Sequence, residues 1–243
     1  MASCPFCQQV LADPPTPYCP KCGRSVSSRP ARSPWESDRD FIGTAKEVIT
    51  NPGGFFETMP VSGGMGSPLL FAFIAGTIGV IAGAVYGLVL HVMNPANFLF
   101  PGGHRSGSPF LFLSGGIGFV FQVFLGPIFV ILGVFVSSAI YHAVLWILQS
   151  ANETFEATFR VCCYAQAVSL LAIIPVCGGI LGGLWAIVVL AIGFSKVHKV
   201  SLLVGFAVVL IPIFLCCCCF GSVCAALIGS FGGLNEVLHH NRF

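Results

Sequence analysis

Charged side chains are scarce in this sequence. Only 8% of its 243 residues are Asp, Glu, Lys or Arg, whereas 56% are hydrophobic. A soluble globular protein has about a quarter of its residues charged, and so few ionic groups cannot cover a surface that faces water. The net charge of +2 is also too small to favour nucleic acid as a partner. The composition therefore predicts an integral membrane protein whose main partner is the lipid bilayer.

Four long stretches of the chain contain no Asp, Glu, Lys or Arg at all. They are residues 58–104, 106–152, 161–195 and 200–235. Each exceeds the roughly 20 residues that cross a hydrocarbon layer about 30 Å thick. They are also longer than the alternating strands of about 10 residues that build membrane barrels. We therefore expect an all-α fold, a polytopic transmembrane helical bundle.

Hydropathy places five transmembrane spans in these stretches. They lie at about residues 68–92, within 110–148, and at about 161–176, 180–194 and 202–231. The second region holds 39 residues, which as one helix would be roughly 58 Å long. It is either a single helix kinked at Gly126-Pro127 or two short spans with a turn there, which would raise the count to six. We favour the single helix.

Basic residues provide an independent test of the span count. With five spans and a cytoplasmic N-terminus, nine of the eleven Lys and Arg residues lie inside, and only Arg105 and Arg242 lie outside. Six spans would leave seven inside and four outside. Because cytoplasmic loops of membrane proteins are enriched in Lys and Arg, the distribution favours five spans.

Two Cys-x-x-Cys motifs stand near the N-terminus, Cys4 to Cys7 and Cys19 to Cys22. Four thiolates at this spacing supply the tetrahedral ligand set of a zinc ribbon, and they leave no open position for a catalytic water. Two alternatives remain: a pair of structural disulfides, which would need an oxidising compartment, and a redox switch that releases the metal. We expect a structural zinc ion and a small zinc ribbon over residues 1–26, which serves as a cytoplasmic interaction module.

The chain between the ribbon and the first span changes character at Phe41. Residues 27–40 are rich in Ser, Pro and Arg and predict a flexible linker. From Phe41 to Ile49 the apolar residues, including Ile42, fall on one helical face, which predicts a short interfacial helix. The alternative is a connector packed against the membrane domain. Residues 41–60 form this part, 61–235 the transmembrane domain, and 236–243 a C-terminal tail.

Small residues recur at intervals of four or eight in three of the predicted spans. Such spacing makes a smooth stripe where two helix backbones approach closely. The stripe is either a dimer interface or a surface for packing within the chain. The candidate helix-packing residues are Gly79, Gly83, Gly87, Gly179, Gly183, Gly221 and Gly229.

Three polar side chains lie inside the predicted spans, Gln122, His142 and Gln166. Polar groups within a membrane mark functional sites by default, although interhelical hydrogen bonding is the simpler alternative. No intramembrane acid or base is placed beside them. Glu153, Glu156 and Arg160 share a helical face and are interpreted as an exposed helix start. No nucleophile–base set, phosphate loop or HExxH motif is present, and we expect no enzymatic activity.

Three groups of residues in the membrane half are shared with a known family. They are Asn51-Pro52-Gly53-Gly54-Phe55-Phe56 with Pro68-Leu69; Thr158-Phe159-Arg160-Val161 with Tyr164-Ala165 and Pro175; and Gly193 to Val200 with His198. Over about residues 41–232 the sequence resembles the Yip domain family, polytopic membrane proteins named for their interaction with Ypt/Rab GTPases.

The resemblance implies a cytoplasmic N-terminus and five spans. Eukaryotic members of the family act in membrane traffic and bind Rab GTPases and one another, so a small GTPase is a partner by family analogy. The zinc ribbon is typical of the prokaryotic branch, which implies the cytoplasmic (inner) membrane of a prokaryote.

Two functions compete on this sequence. The first is a membrane interaction or scaffold protein that binds other membrane proteins or itself as a homo-oligomer, and soluble partners through the ribbon. The second is a small-solute transporter or channel, because Pro127, Pro175 and Pro212 would interrupt helices as transporters do at binding sites. The scarcity of ionisable residues within the spans favours the first.

Overall fold

The protein is helical throughout the part of the chain that the structure describes. A computed structural model describes Lys21 and residues 33–93, 116–175 and 177–219, and no strand occurs among them. The all-α class is therefore confirmed. The helices are α1 (Pro34–Asp38), α2 (Phe41–Thr50), α3 (Pro52–Thr58), α4 (Gly66–Val92), α5 (Gly116–Ile147), α6 (Phe155–Ala165), α7 (Gly178–His198) and α8 (Leu202–Cys219), with a 3₁₀ segment (Gln166–Ile173) between α6 and α7.

Four of these helices are long and apolar enough to cross a membrane. The qualifying segments are Gly66–Leu90, Gly118–Ile147, Gly178–His198 and Leu202–Cys219. The second apolar region forms the single helix α5, with Pro127 inside it, so the preference for one helix over two spans is confirmed. The helix tolerates Pro127 because only one backbone donor is lost, and a neighbouring helix or a local adjustment can satisfy the freed carbonyl.

The third predicted span is built differently from the other four. It begins as α6 and continues as the eight-residue 3₁₀ segment, and Ile174 is extended at φ −73° and ψ 119°. Since the residue before a proline avoids the helical conformation, Pro175 accounts for the end of the segment. At 1.5 Å per α-helical residue and about 2.0 Å per 3₁₀ residue, the two pieces together measure roughly 32 Å. Because neither piece is a long α-helix, this region is not among the four.

Close contacts define the direction in which each element runs. Gly76 of α4 faces Val130 of α5, and Gly126 of α5 faces Val80 of α4. Position numbers rise along one helix as they fall along the other, so α4 and α5 are antiparallel.

The region from α6 to the 3₁₀ segment runs parallel to α4. Arg160 contacts the carbonyl of Gly64 before α4 begins, whereas the carbonyl of Ile173 accepts a hydrogen bond from Tyr86 in the last part of α4. Helix α7 then returns, because its Gly178 lies against Leu171 and its Gly193 against Val161.

Residues 33–40 form structure where the sequence predicted a flexible linker. Ser33 caps α1, and Trp35 is buried within it. The Trp35 indole donates to the carbonyl of Ser67 at 2.7 Å, and its ring packs edge-on against Phe41 and Phe71. One large aromatic side chain buries enough apolar area to order a stretch whose Ser and Pro content predicted disorder. Only residues 27–32 of the predicted linker lie outside the described residues.

Helices α2 and α3 pack against the membrane domain. The predicted helix at residues 41–50 is present, but Ile42 is 78% exposed and does not belong to its buried face. Phe55 and Phe56 are almost completely buried. The indole of Trp185 in α7 donates to the carbonyl of Ile49 at 3.0 Å. This arrangement corresponds to the packed connector, the second of the two alternatives for this segment.

Candidate functional site

Arg160 is the most deeply buried charge in the described part of the protein. It is 1% exposed, so its interpretation as part of an exposed helix start was wrong. Its Nη1 donates to Glu36 Oε1 at 2.8 Å and to the Pro60 carbonyl at 3.2 Å, and its Nε donates to Glu156 Oε1 at 3.3 Å. Its Nη2 donates to the Gly64 carbonyl at 3.1 Å. Two carboxylates and two carbonyls compensate the desolvation of the guanidinium, which would otherwise cost several kcal/mol.

The loop before α4 is shaped around this guanidinium. Gly63 and Gly64 have φ values of +132° and +97°, a region that favours glycine. A Cβ on Gly63 would lie 3.0 Å from Arg160 Nη2. The amide of Gly64 also donates to Glu156 Oε1 at 2.7 Å. The glycine pair therefore lets the backbone wrap closely around the buried ion pair.

Tyr164, one turn after Arg160, anchors the N-terminal segment a second time. Its hydroxyl and Ser33 Oγ form a buried hydrogen bond of 2.9 Å. Its ring lies 5.1 Å from that of Phe55 and 5.3 Å from that of Phe71, measured between centroids. Helix α6 thus holds α1 through both an ion pair and a buried hydroxyl pair.

A second polar group joins α5, α6 and α7 around Thr158. The amide of Glu153 donates to His198 Nδ1 at 3.3 Å, so neutral His198 carries its proton on Nε2. That nitrogen lies 3.1 Å from Thr158 Oγ1, which lies 2.8 Å from His142 Nδ1. The donors then run in one direction, from Glu153 to His198, to Thr158 and to His142. Asn152 fixes the end of α7 by donating to the His198 carbonyl at 2.8 Å.

These two groups lie at the same end of the helical bundle. We call them together the polar layer; its members are Glu36, His142, Glu156, Thr158, Arg160 and His198. The sequence placed no acid or base beside His142, but the structure brings His198 to it through Thr158. Sequence reasoning missed this pairing because the two histidines are far apart in the chain.

The predicted zinc ligands lie outside the described residues. The structure describes none of the four cysteines, Cys4, Cys7, Cys19 and Cys22. The zinc ribbon therefore stays a prediction. Within residues 33–93, 116–175 and 177–219, no group of three or more His, Cys, Asp or Glu side chains is placed to hold a metal ion.

The candidate packing glycines have different surroundings. A Cβ on Gly79 would meet the backbone oxygen and Cβ of Ser169 at 2.8 Å, so α4 and the 3₁₀ segment approach closely there. A Cβ would meet open space at Gly83, Gly87, Gly179 and Gly183, and Gly221 and Gly229 lie outside the described residues. Close approaches not predicted from the sequence occur at Gly76, Gly126, Gly193 and Gly205.

Gln122 and Gln166 both line a groove of about 570 Å³ beside α5. Gln166 and Gly133 also line a second groove of about 460 Å³ between α5 and α7. Among the described residues, no Asp, Glu, Lys, Arg or His side chain lines either groove. The intramembrane polar residues therefore separate into His142, which belongs to the polar layer, and two amides on the groove walls.

Comparison with known proteins gives a family for this chain. The Yip1 domain pattern matches residues 46–223, well over half of the sequence. The chain belongs to the Yip1 domain family. The Yip1 family is not a known enzyme family. No curated protein and no solved structure matches the chain significantly.

The Yip1 match relates directly to the polar layer. Residues that carried the resemblance, including Thr158, Arg160, Tyr164 and His198, meet in and beside it. Glu36, however, precedes the Yip1 match, which begins at residue 46. The N-terminal segment of this protein thus supplies a carboxylate to an arginine of its Yip1 domain.

Proposed function

We propose that this Yip1 protein is a membrane-embedded interaction or scaffold protein without enzymatic activity. The observation that carries the proposal is the buried ion pair of Arg160 with Glu36. It joins the N-terminal segment to the membrane domain, and every member of the polar layer is used in holding segments together. A scaffold needs such a fixed connection between its membrane part and the module it presents.

The module would be the zinc ribbon, with a structural zinc ion held by Cys4, Cys7, Cys19 and Cys22. Only ten residues lie between Cys22 and Ser33, which contacts Tyr164 in the membrane domain. A ribbon so close to an anchored helix would be presented at the membrane surface. Its partners would be soluble proteins, with a small GTPase as the class that the family suggests, while other membrane proteins or a second copy would pack against the spans.

A fifth crossing by α6 and the 3₁₀ segment fits this role and the orientation. It runs parallel to α4, and residues 161–173, beyond the polar layer, cover roughly 24 Å of a hydrocarbon layer about 30 Å thick. Five crossings would place the N-terminus and the polar layer on one side, which the excess of Lys and Arg identifies as the cytoplasm. For a prokaryotic member this membrane is the inner one.

A single-cysteine protein that retains only Cys177 would test the fifth crossing. Cys177 is exposed and stands between the 3₁₀ segment and α7. With five spans, an impermeant maleimide labels it in intact cells. Labelling only after the cells are permeabilised would contradict the crossing.

A small-solute transporter or channel is the second candidate. The two grooves with Gln122 and Gln166 on their walls favour it, because polar groups at membrane depth mark solute pathways. The described residues that line the two grooves are uncharged, which favours a neutral solute over an ion.

Crosslinking and pull-down from native membranes would distinguish the two functions, with the chain lacking residues 1–26 as the comparison. We expect the truncated chain to lose its soluble partners and to keep its membrane partners. Liposomes containing the purified protein should be no more permeable to glycerol and urea than empty liposomes. Unchanged partners together with protein-dependent permeation would contradict the scaffold and support the transporter.

A further inference from the structure

The hydrogen bonds around Thr158 can all be made together in only one arrangement. The amide of Glu153 is always a donor, so His198 Nδ1 must accept from it and the imidazole proton lies on Nε2. That nitrogen donates to Thr158 Oγ1 at 3.1 Å, and the hydroxyl has its single proton left for His142 Nδ1 at 2.8 Å. Every bond in the series is formed only while both imidazoles are neutral.

An added proton on either imidazole disrupts this series. On His198 it would occupy Nδ1, where the amide of Glu153 already donates at 3.3 Å, so two donors would face each other. On His142 it would turn Nδ1 into a donor, so Thr158 Oγ1 would receive two N–H groups and its own proton would lose its acceptor. With both protonated, two cations would stand with ring centroids 6.4 Å apart. A buried polar group without its partner, or a buried charge without a counter-ion, destabilises the fold.

The charges on the neighbouring elements do not offset an added proton. Among the described residues, no carboxylate forms an ion pair with either imidazole, and Glu153 contacts His198 through its backbone amide. The C-terminal end of α7 attracts cations, but Lys196 and Lys199 already stand there. The charged and titratable side chains on the elements packed around the two imidazoles are Glu153, Glu156, Arg160, Cys162, Cys163 and Tyr164 in or next to α6, Tyr141 on α5, Lys46 and Glu47 on α2, Glu57 on α3, and Lys196 and Lys199 on α7. Residues 66–85 of α4, the 3₁₀ segment and residues 202–215 of α8 carry none.

Protons can enter this group of side chains through His142. Thr158 and His198 are completely buried, whereas His142 is partly exposed. His142 also stands close to the last residue of α5, Ile147, at the end of the bundle where the polar layer lies. The group therefore combines a buried hydrogen-bonded core with one imidazole that water can reach.

We propose that Thr158 and the two histidines form an acid-sensitive latch, which holds the ends of α5 and α7 to α6 at neutral pH and releases them when His142 takes up a proton. The folded protein favours neutral imidazoles, whereas histidines in the unfolded chain take up protons below about pH 6.5. The unfolded state then binds more protons, so the stability that the latch provides is fully present above this pH and is lost as the pH falls. The latch depends neither on the scaffold function nor on the zinc ribbon.

The first test measures the melting temperature of the full-length protein in detergent from about pH 7 to about pH 5.5. His142→Asn is the main variant, because its amide oxygen can accept from Thr158 in place of Nδ1 but takes up no proton. Thr158→Ser keeps the hydroxyl and should keep the response to pH. His240→Asn is the matched control, since it removes a titrating histidine outside the described residues.

The unmodified protein should lose about 3–5 °C more than His142→Asn over this range. The difference corresponds to one excluded proton and to a roughly tenfold fall in the ratio of folded to unfolded protein. His240→Asn and Thr158→Ser should lose as much as the unmodified protein. Equal losses in the unmodified protein and in His142→Asn would overturn the latch.

Two further measurements use the unmodified protein and need no substitution at the latch. Nuclear magnetic resonance with histidine-selective labelling should find at least one of the six imidazoles neutral at about pH 5.5. Proton uptake by all of them near pH 6.5, the ordinary value for histidine, would overturn the proposal. Hydrogen exchange, corrected for the intrinsic rate at each pH, should accelerate at residues 143–150 and 196–200 before the middle of α5 responds. Uniform acceleration along the bundle would show general instability in acid and overturn a local latch.

Discussion

Helices α5 and α6 differ in opposite senses in polarity and in burial within the protein. Helix α5 is long and apolar, yet only 11% of its most apolar window is buried within the protein. Helix α6 is short and carries Arg160, yet every residue from Ala157 to Ala165 is buried. In water, apolar residues mark the core, but in lipid a long apolar helix such as α5 can keep most of its surface in contact with the solvent. The polar helix lies inside because its charges need partners that only the protein can supply.

The first prediction concerns the buried ion pair. Arg160→Met leaves Glu36 and Glu156 without their cation, and we expect a loss of about 3–5 kcal/mol or failure to accumulate in the membrane. The control is Lys196→Met, which breaks the exposed pair with Glu57 at 3.0 Å and should cost no more than about 1 kcal/mol. Thermal melting in detergent and membrane yield measure both. If the two variants lost the same stability, the buried ion pair would contribute no more than the exposed one.

The second prediction concerns the close approach of α4 to the 3₁₀ segment. Gly79→Val would force a side chain against Ser169, and overpacking of this kind costs about 1–3 kcal/mol. Gly83→Val, one turn later where a Cβ meets open space, should leave the melting temperature unchanged. If Gly83→Val instead dissociates an oligomer in size-exclusion chromatography, that glycine serves contact between copies.

The third prediction concerns the hydroxyl that joins the two histidines. Thr158→Val keeps the shape but removes the partner of His142 and His198, so we expect a loss of about 1–3 kcal/mol. Thr50→Val, on the exposed end of α2, is the matched control and should change stability by less than about 0.5 kcal/mol. Chemical denaturation in mild detergent measures the difference, and an unperturbed Thr158→Val protein would show that the polar layer does not join α5 to α7.

The smallest expected effect is at the N-terminal anchor. Ser33→Ala leaves the buried hydroxyl of Tyr164 without its partner and removes the side-chain cap of α1, which together cost about 1–2 kcal/mol. We expect faster proteolysis before Trp35 with little change in overall melting. Ser37→Ala, on the exposed side of α1, should be cut at the original rate. Identical cleavage of the two variants would mean that the Tyr164 contact does not hold α1.

The sequence predicted the parts of this fold that depend on composition. The stretches without charged residues predicted α4, α5, α7 and α8. A helix that faces lipid must be apolar whatever the rest of the chain does, so its own composition reveals it. Pro175 likewise ended the third predicted span by a local steric effect. The spacing of Gly79, Gly83 and Gly87 is visible in one helix, but the sequence does not tell which of them another element approaches.

The features missed depend on contacts between distant positions. Arg160 looked exposed because Glu36, the partner that helps to bury it, is 124 residues away in the chain. Gly193 gave no spacing signal, since its importance comes from Val161 and Phe56 on other elements. Trp35 stands in a stretch rich in Ser and Pro. The average composition of that stretch predicted a flexible linker, and the anchoring role of the single Trp was missed.

The 124-residue separation of Glu36 and Arg160 has a consequence for biosynthesis. At about 5–20 residues per second, a ribosome needs roughly 6–25 s to synthesise Arg160 after it has synthesised Glu36. Helices α4 and α5 are synthesised within that interval, before Arg160 can contact the N-terminal segment. The N-terminal segment is thus made first and settles after them, so its docking reports that the nascent membrane domain has assembled as far as α6.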